Sequence, residues 1–72
     1  MGVMMTALFE EKLDEYYRTG EYKGFYEVIV HEQERMTHLT LTDGFQEISA
    51  SGMFKSDALQ RIFHQIDSVR SN

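Results

Sequence analysis

The chain has 72 residues, a net charge of −5 and no cysteine. This length predicts one domain with a small core, and the lack of cysteine excludes disulfides and thiolate metal sites. The 12 acidic against 7 basic residues make nucleic acid an unlikely partner, because phosphate contacts need a basic surface.

Nothing in the sequence predicts a membrane protein or a secreted one. No apolar run approaches the roughly 20 residues of a membrane-spanning helix. The first residues, MGVMM, lack the cationic region that precedes the apolar part of a secretory signal. We therefore expect one cytoplasmic domain over residues 1–72, with frayed ends at 1–5 and 70–72.

The first predicted element is an amphipathic helix in TALFEEKLDEYYRTG, residues 6–20. Thr6 is the expected N-cap and Gly20 the expected C-terminal end. The opposite, acidic side of this helix is expected to face solvent or, alternatively, to dock a basic partner. The apolar residues at helical spacing are Met5, Leu8, Phe9, Leu13, Tyr16 and Tyr17, and the acidic ones are Glu10, Glu11, Asp14 and Glu15.

Three strands are predicted next, in residues 24–52. The DG dipeptide at 43–44 indicates a two-residue hairpin turn that pairs Leu39 with Ile48. A tight turn at 33–34 would pair Val28 with Leu39. Both registers place the same apolar set on one face, which favours an antiparallel meander. That set is Tyr26, Val28, Val30, Leu39, Leu41, Ile48 and Ala50.

The last predicted element is a helix in SDALQRIFHQIDSV, residues 56–69, with Ser56 as its N-cap. Its apolar stripe is Leu59, Ile62, Phe63, Ile66 and Val69. The resulting fold class is α+β: a two-layer sandwich of order α-β-β-β-α, in which both helices cover one face of a three-stranded antiparallel meander.

The predicted composition of the opposite face of the sheet says most about function. A solvated face should be mostly polar, yet this register places several apolar side chains there. The face is ordinary surface, a homodimer interface or a ligand groove. The candidate interface residues are Phe25, Ile29, Met36, His38, Phe45 and Glu47.

Two constellations on this face could carry chemistry. His38 and Glu47, predicted as diagonal neighbours with Glu27 one strand away, have the groups for general acid–base catalysis. His31, Glu32, Glu34 and His38 have metal-ligating side chains but match no recognised ligand motif. A solvated surface is the commoner explanation of both, so we expect no catalytic, metal or cofactor site and no small-molecule substrate.

The order of elements resembles that of the double-stranded RNA-binding domain. ISASGMFKSDALQRIF, residues 48–63, is similar in outline to that family's last strand and second helix. The family's basic helix start has only Lys55 and Arg61 as counterparts here, and the loop HEQER at 31–35 is short and acidic. The resemblance therefore implies a topology and does not carry the RNA contacts over.

These observations predict a small acidic, non-enzymatic module that binds or regulates another protein. Self-association through the outer sheet face is the expected mode, as a homodimer. The alternative is a nucleic-acid-binding module with the topology of the RNA-binding domain.

Overall fold

The five elements follow the predicted order. The computed structural model describes residues 2–70, with side chains from residue 8 onward. The elements are α1 (Gly2–Thr19), β1 (Tyr26–Gln33), β2 (Met36–Thr42), β3 (Glu47–Gly52) and α2 (Lys55–Arg70). The strands form one antiparallel sheet of order β1-β2-β3. The α-β-β-β-α sandwich is thus confirmed; of the expected frayed ends, residues 1, 71 and 72 lie outside the described residues.

Both helices begin earlier than predicted. Thr6 lies inside α1 and Ser56 inside the first turn of α2, so neither is an N-cap. At α2 the Asp57 carboxylate accepts a hydrogen bond from the Phe54 N–H at 3.2 Å. This is half of a capping box, in which an acidic side chain in the first turn reaches back to the residue before the helix. The end of α1 is as predicted, because Gly20 has a φ of +86° and its N–H bonds the Tyr16 carbonyl at 2.7 Å.

The strand register differs from the prediction by two residues. The β2–β3 connection spans four residues, 43–46, so that Leu41 faces Ile48. The Asp43 carboxylate holds this longer loop by accepting the N–H groups of Phe45 and Gln46, each at 2.9 Å. The β1–β2 turn likewise falls at 34–35 rather than 33–34. Because side chains alternate with a period of two, a shift of two leaves most residues on the predicted face.

A β-bulge at Val28 changes the start of β1. Glu27 lies opposite Leu41, whereas Ile29 lies opposite Thr40, so one residue of β1 is unmatched. The extra residue reverses the face on which each preceding residue of β1 lies. Glu27 therefore lies on the helix side and Tyr26 on the far side, and the predictions for both residues are wrong.

A tight turn precedes β1 and was not predicted in this form. Tyr22 and Phe25 exchange backbone hydrogen bonds of 2.8 and 2.9 Å around Lys23 and Gly24. These two residues have φ of +52° and +89°, the signs of a type I′ turn. The turn and the bulge together bury Phe25 completely, where the Arg70 guanidinium lies 5.1 Å from its ring centroid. The prediction of Phe25 as an interface residue is wrong.

The core lies between the sheet and the helices. Helix α2 packs on β3 and β2, and α1 packs on α2. The Glu27 carboxylate accepts a hydrogen bond from Tyr16 of α1 and pairs with Lys55 of α2 at 3.1 Å, which places both helices on the same face. The buried apolar side chains are Tyr16, Tyr22, Phe25, Leu39, Leu41, Ile48, Ala58, Leu59, Ile62, Phe63 and Ile66.

Candidate functional site

The sheet face that points away from the helices is the candidate site, and we call it the outer face. The pairing of the strands assigns it residues from all three. It consists of Tyr26, Ile29, His31 and Gln33 of β1, Met36, His38, Thr40 and Thr42 of β2, and Glu47, Ser49 and Ser51 of β3.

Apolar side chains run along the β1 side of the outer face. Ile29 and Met36 are 50% and 49% exposed, and Tyr26 is exposed to a similar degree. Two further side chains of β1 are also about half exposed, although neither belongs to the outer face: Val28 is the bulge residue, and Val30 lies on the helix side opposite Leu39. β1 is an edge strand, and an edge strand with exposed apolar side chains is a surface to which another chain can bind.

The polar groups in the middle of the outer face already bond one another. The hydroxyls of Thr40 and Ser49 are 2.8 Å apart, and His38 Nδ1 lies 2.7 Å from the Ser51 hydroxyl. Thr40 is itself buried among its neighbours. A polar group that keeps its hydrogen bond loses little when water is removed, whereas an unpaired one loses about 1–3 kcal/mol. This face can therefore be covered at low cost.

The outer face carries few charges for so acidic a chain. Its carboxylate is Glu47, at the end where β3 begins, and its imidazoles are His31 and His38, nearer the other end. Glu27, which was predicted here, is held on the helix side by Lys55 because of the bulge. Two copies of this face consequently repel each other much less than a net charge of −5 suggests.

The predicted interface residues separate into three groups. Ile29, Met36, His38 and Glu47 do lie on the outer face. Phe45 lies in the loop beside it, 96% exposed. The last predicted interface residue, Phe25, is buried in the core.

His38 and Glu47 are not neighbours. His38 lies opposite Ser51, whereas Glu47 lies opposite Thr42. The two-residue register shift separates them along the strands, so the prediction that they are diagonal neighbours is wrong.

Two features of the outer face were missed by the sequence reasoning. One is Tyr26, which the bulge turns outward. The other is the direct pairing of His31 with His38 across β1 and β2. The KG dipeptide between Tyr22 and Phe25 could have indicated the turn, since Gly favours the positive φ that a type I′ turn needs; no local signal marks the bulge.

A charged cluster on the helix side ties three elements together. Asp67 of α2 binds Lys12 of α1 at 2.8 Å, Lys23 at 2.9 Å and the Tyr22 hydroxyl at 2.6 Å. Burial alone would raise the pKa of Asp67, but the hydrogen bonds from Lys12, Tyr22 and Lys23 outweigh it and hold the pKa well below its ordinary value. Burial, followed by the bond to Asp67, raises the pKa of Tyr22. Burial and the bond to Glu27 do the same for Tyr16.

A groove between the helices is the best candidate for a small-molecule site. Its volume is about 130 Å³, well below the roughly 300 Å³ at which ligand pockets for drug-sized molecules begin. Asp67 and Lys12 in its wall already bind each other. The groove is lined by Leu8, Phe9, Lys12, Gln60, Phe63, His64 and Asp67.

Most of the basic residues pair with carboxylates of the same chain. These are Lys12, Lys23, Lys55 and Arg70. Phosphate groups would have to compete with those carboxylates for each pairing.

Comparison with protein-family models, with curated protein sequences and with solved structures finds no match to this chain. Neither helix in residues 2–70 has both the length and the apolar character needed to cross a bilayer. Within the same residues, no three side chains of His, Asp or Glu are grouped so as to hold a metal ion.

Proposed function

We propose that this chain is a small acidic, non-enzymatic interaction module of the cytoplasm that forms a homodimer through its outer face. The observation that supports the proposal is an uncovered sheet face in which half-exposed Tyr26, Ile29 and Met36 flank polar groups that bond one another. Such a face gains from burial of apolar surface and loses little from burial of its polar groups. Self-association would also stabilise a domain of 72 residues, because its own core is small.

The distribution of charge favours a second copy as the partner. A two-fold axis in the plane of the interface and perpendicular to the strands makes the strands of the two copies run antiparallel. This rotation lays β3 of one copy over β3 of the other, so Glu47 of each copy approaches the end of the other copy where Ser51 lies, with the His38 imidazole on the neighbouring strand. The same patch thus complements itself, as a two-fold interface requires.

Light scattering in buffer with a metal chelator tests the proposal. The native chain is expected at about twice its monomer mass of 8.5 kDa. Ile29→Glu should give a folded monomer, because it places two like charges in the interface, and Met36→Glu should act in the same direction. Leu8→Glu is the matched control: it makes the same change on α1, at a side chain 57% exposed, and should leave the dimer intact.

A native chain that is monomeric at high concentration contradicts the proposal, as does a dimer that Leu8→Glu disrupts and Ile29→Glu leaves unchanged. Circular dichroism of each variant separates loss of association from loss of folding. Retention on double-stranded RNA that weakens with salt would instead support the nucleic-acid alternative.

A further inference from the structure

The outer face carries a pair of histidines in direct register. His31 of β1 and His38 of β2 are cross-strand partners, and their side chains therefore project from the same face. Cβ atoms of such partners are about 4.5–5.5 Å apart. At that separation two imidazole rings can direct one nitrogen each at a single point above the sheet.

The hydrogen bond to Ser51 orients one of these rings. The His38 Nδ1 atom lies 2.7 Å from the Ser51 hydroxyl, so Nε2 is the nitrogen directed away from that bond. A metal ion on Nε2 selects the tautomer in which Nδ1–H donates to Ser51. Metal-ligating histidines commonly have such a partner on the second ring nitrogen, because it holds the ring in place and increases its basicity.

We propose that His31 and His38 bind one divalent transition-metal ion, through Nε2 of His38 and a ring nitrogen of His31, with water in the remaining positions. Imidazole nitrogen suits Zn²⁺, Cu²⁺ and Ni²⁺, whereas Mg²⁺ and Ca²⁺ prefer oxygen. Ser51 acts as a positioning residue. Both ligands come from a single copy of the chain. Because they lie on the face that the proposed dimer covers, metal binding is expected to compete with dimerisation.

Calorimetric titration of the tag-free chain with Zn²⁺ tests this site. We expect one ion per chain, and His31→Ala and His38→Ala should each lower the affinity at least about tenfold. His64→Ala is the matched control, since it removes an exposed imidazole of α2 that lies outside the pair. It should leave binding unchanged, and Mg²⁺ should give no comparable heat. Ser51→Ala should weaken binding by a smaller factor and leave the fold intact.

Nuclear magnetic resonance identifies the ligands directly, because Zn²⁺ should shift the ring signals of His31 and His38 and leave those of His64 in place. Zn²⁺ affinity that either His→Ala variant of the pair leaves unchanged overturns the inference, as does a shift confined to His64. A chain that is dimeric in chelator, and whose monomeric variant Ile29→Glu binds no zinc, loses this inference and keeps the proposed function. A monomeric chain that binds zinc through the pair keeps this inference and loses the proposed function.

Discussion

Gly52 shows how the lack of one side chain allows α2 to approach the sheet closely. It lies at the end of β3, opposite Thr37. A Cβ atom at Gly52 would lie 2.6 Å from the Asp57 Cβ and 2.8 Å from the Ala58 backbone nitrogen. Backbone atoms cannot move aside as a flexible side chain can. The absence of a side chain at this position thus allows the first turn of α2 to rest on the strand.

Gly52→Asn is expected to lower the free energy of unfolding by about 1–3 kcal/mol, the usual cost of overpacking. Gly20→Asn introduces the same side chain where nothing lies within 4 Å of the new Cβ, and Asn tolerates a positive φ. It should cost about 1 kcal/mol or less. Denaturation by urea measures both, and equal losses would contradict the argument from the close approach.

At the level of elements, α1 packs mainly on α2, and the bond from Tyr16 to Glu27 ties it to the sheet. The Phe63 ring of α2 lies 5.9 Å from Phe9 and 5.5 Å from Tyr16, both on α1, and stacks on Tyr22 at 4.1 Å. Phe63 is therefore the shared contact of α1, α2 and the turn before β1. The loss of aromatic contact there should loosen α1 first.

Phe63→Leu should reduce the free energy of unfolding by about 1 kcal/mol, because it replaces a buried aromatic ring with a somewhat smaller apolar group. Phe54→Leu makes the same exchange at a side chain that is 64% exposed, and it should change stability by no more than about 0.5 kcal/mol. Hydrogen exchange provides the second measurement: amides of α1 should exchange faster in Phe63→Leu than those of β2. Uniform acceleration across the chain would contradict the dependence of α1 on this contact.

For the molecule as a whole, Asp67 couples folding to pH. Its carboxylate joins α1, α2 and the segment before β1, and its pKa is lower in the folded state than the ordinary value of 3.8. The unfolded chain therefore binds a proton at Asp67 more readily than the folded chain does. The contribution of this group is fully present above pH 3.8 and declines as the pH falls toward the folded-state pKa.

Asp67→Asn should lower the free energy of unfolding at pH 7 by about 1–3 kcal/mol, since it weakens hydrogen bonds to charged donors. The difference from the native chain should shrink as the pH falls below 3.8. Asp14→Asn, at an exposed carboxylate of α1, removes the same formal charge and serves as the control. Thermal unfolding between pH 2 and pH 7 measures all three chains; a constant difference between Asp67→Asn and native across this range would refute the linkage.

The sequence by itself determined the elements, their order and most of the sheet's two faces. Helical and alternating periodicities are local properties, and a shift of two residues in register does not change which side a residue faces. This is why Ile29 and Met36 were placed correctly although the loops at 34–35 and 43–46 were not.

Only the tertiary structure decided where β1 changes face. The bulge at Val28 lets Glu27 reach Tyr16 and Lys55, and the turn before it lets Phe25 enter the core beside Arg70. These partners lie far away in the sequence, on α1 and α2, so no local pattern marks them. The outward direction of Tyr26 and the burial of Phe25 follow from those long-range contacts. The alignment of His31 with His38 follows instead from the position of the turn at 34–35.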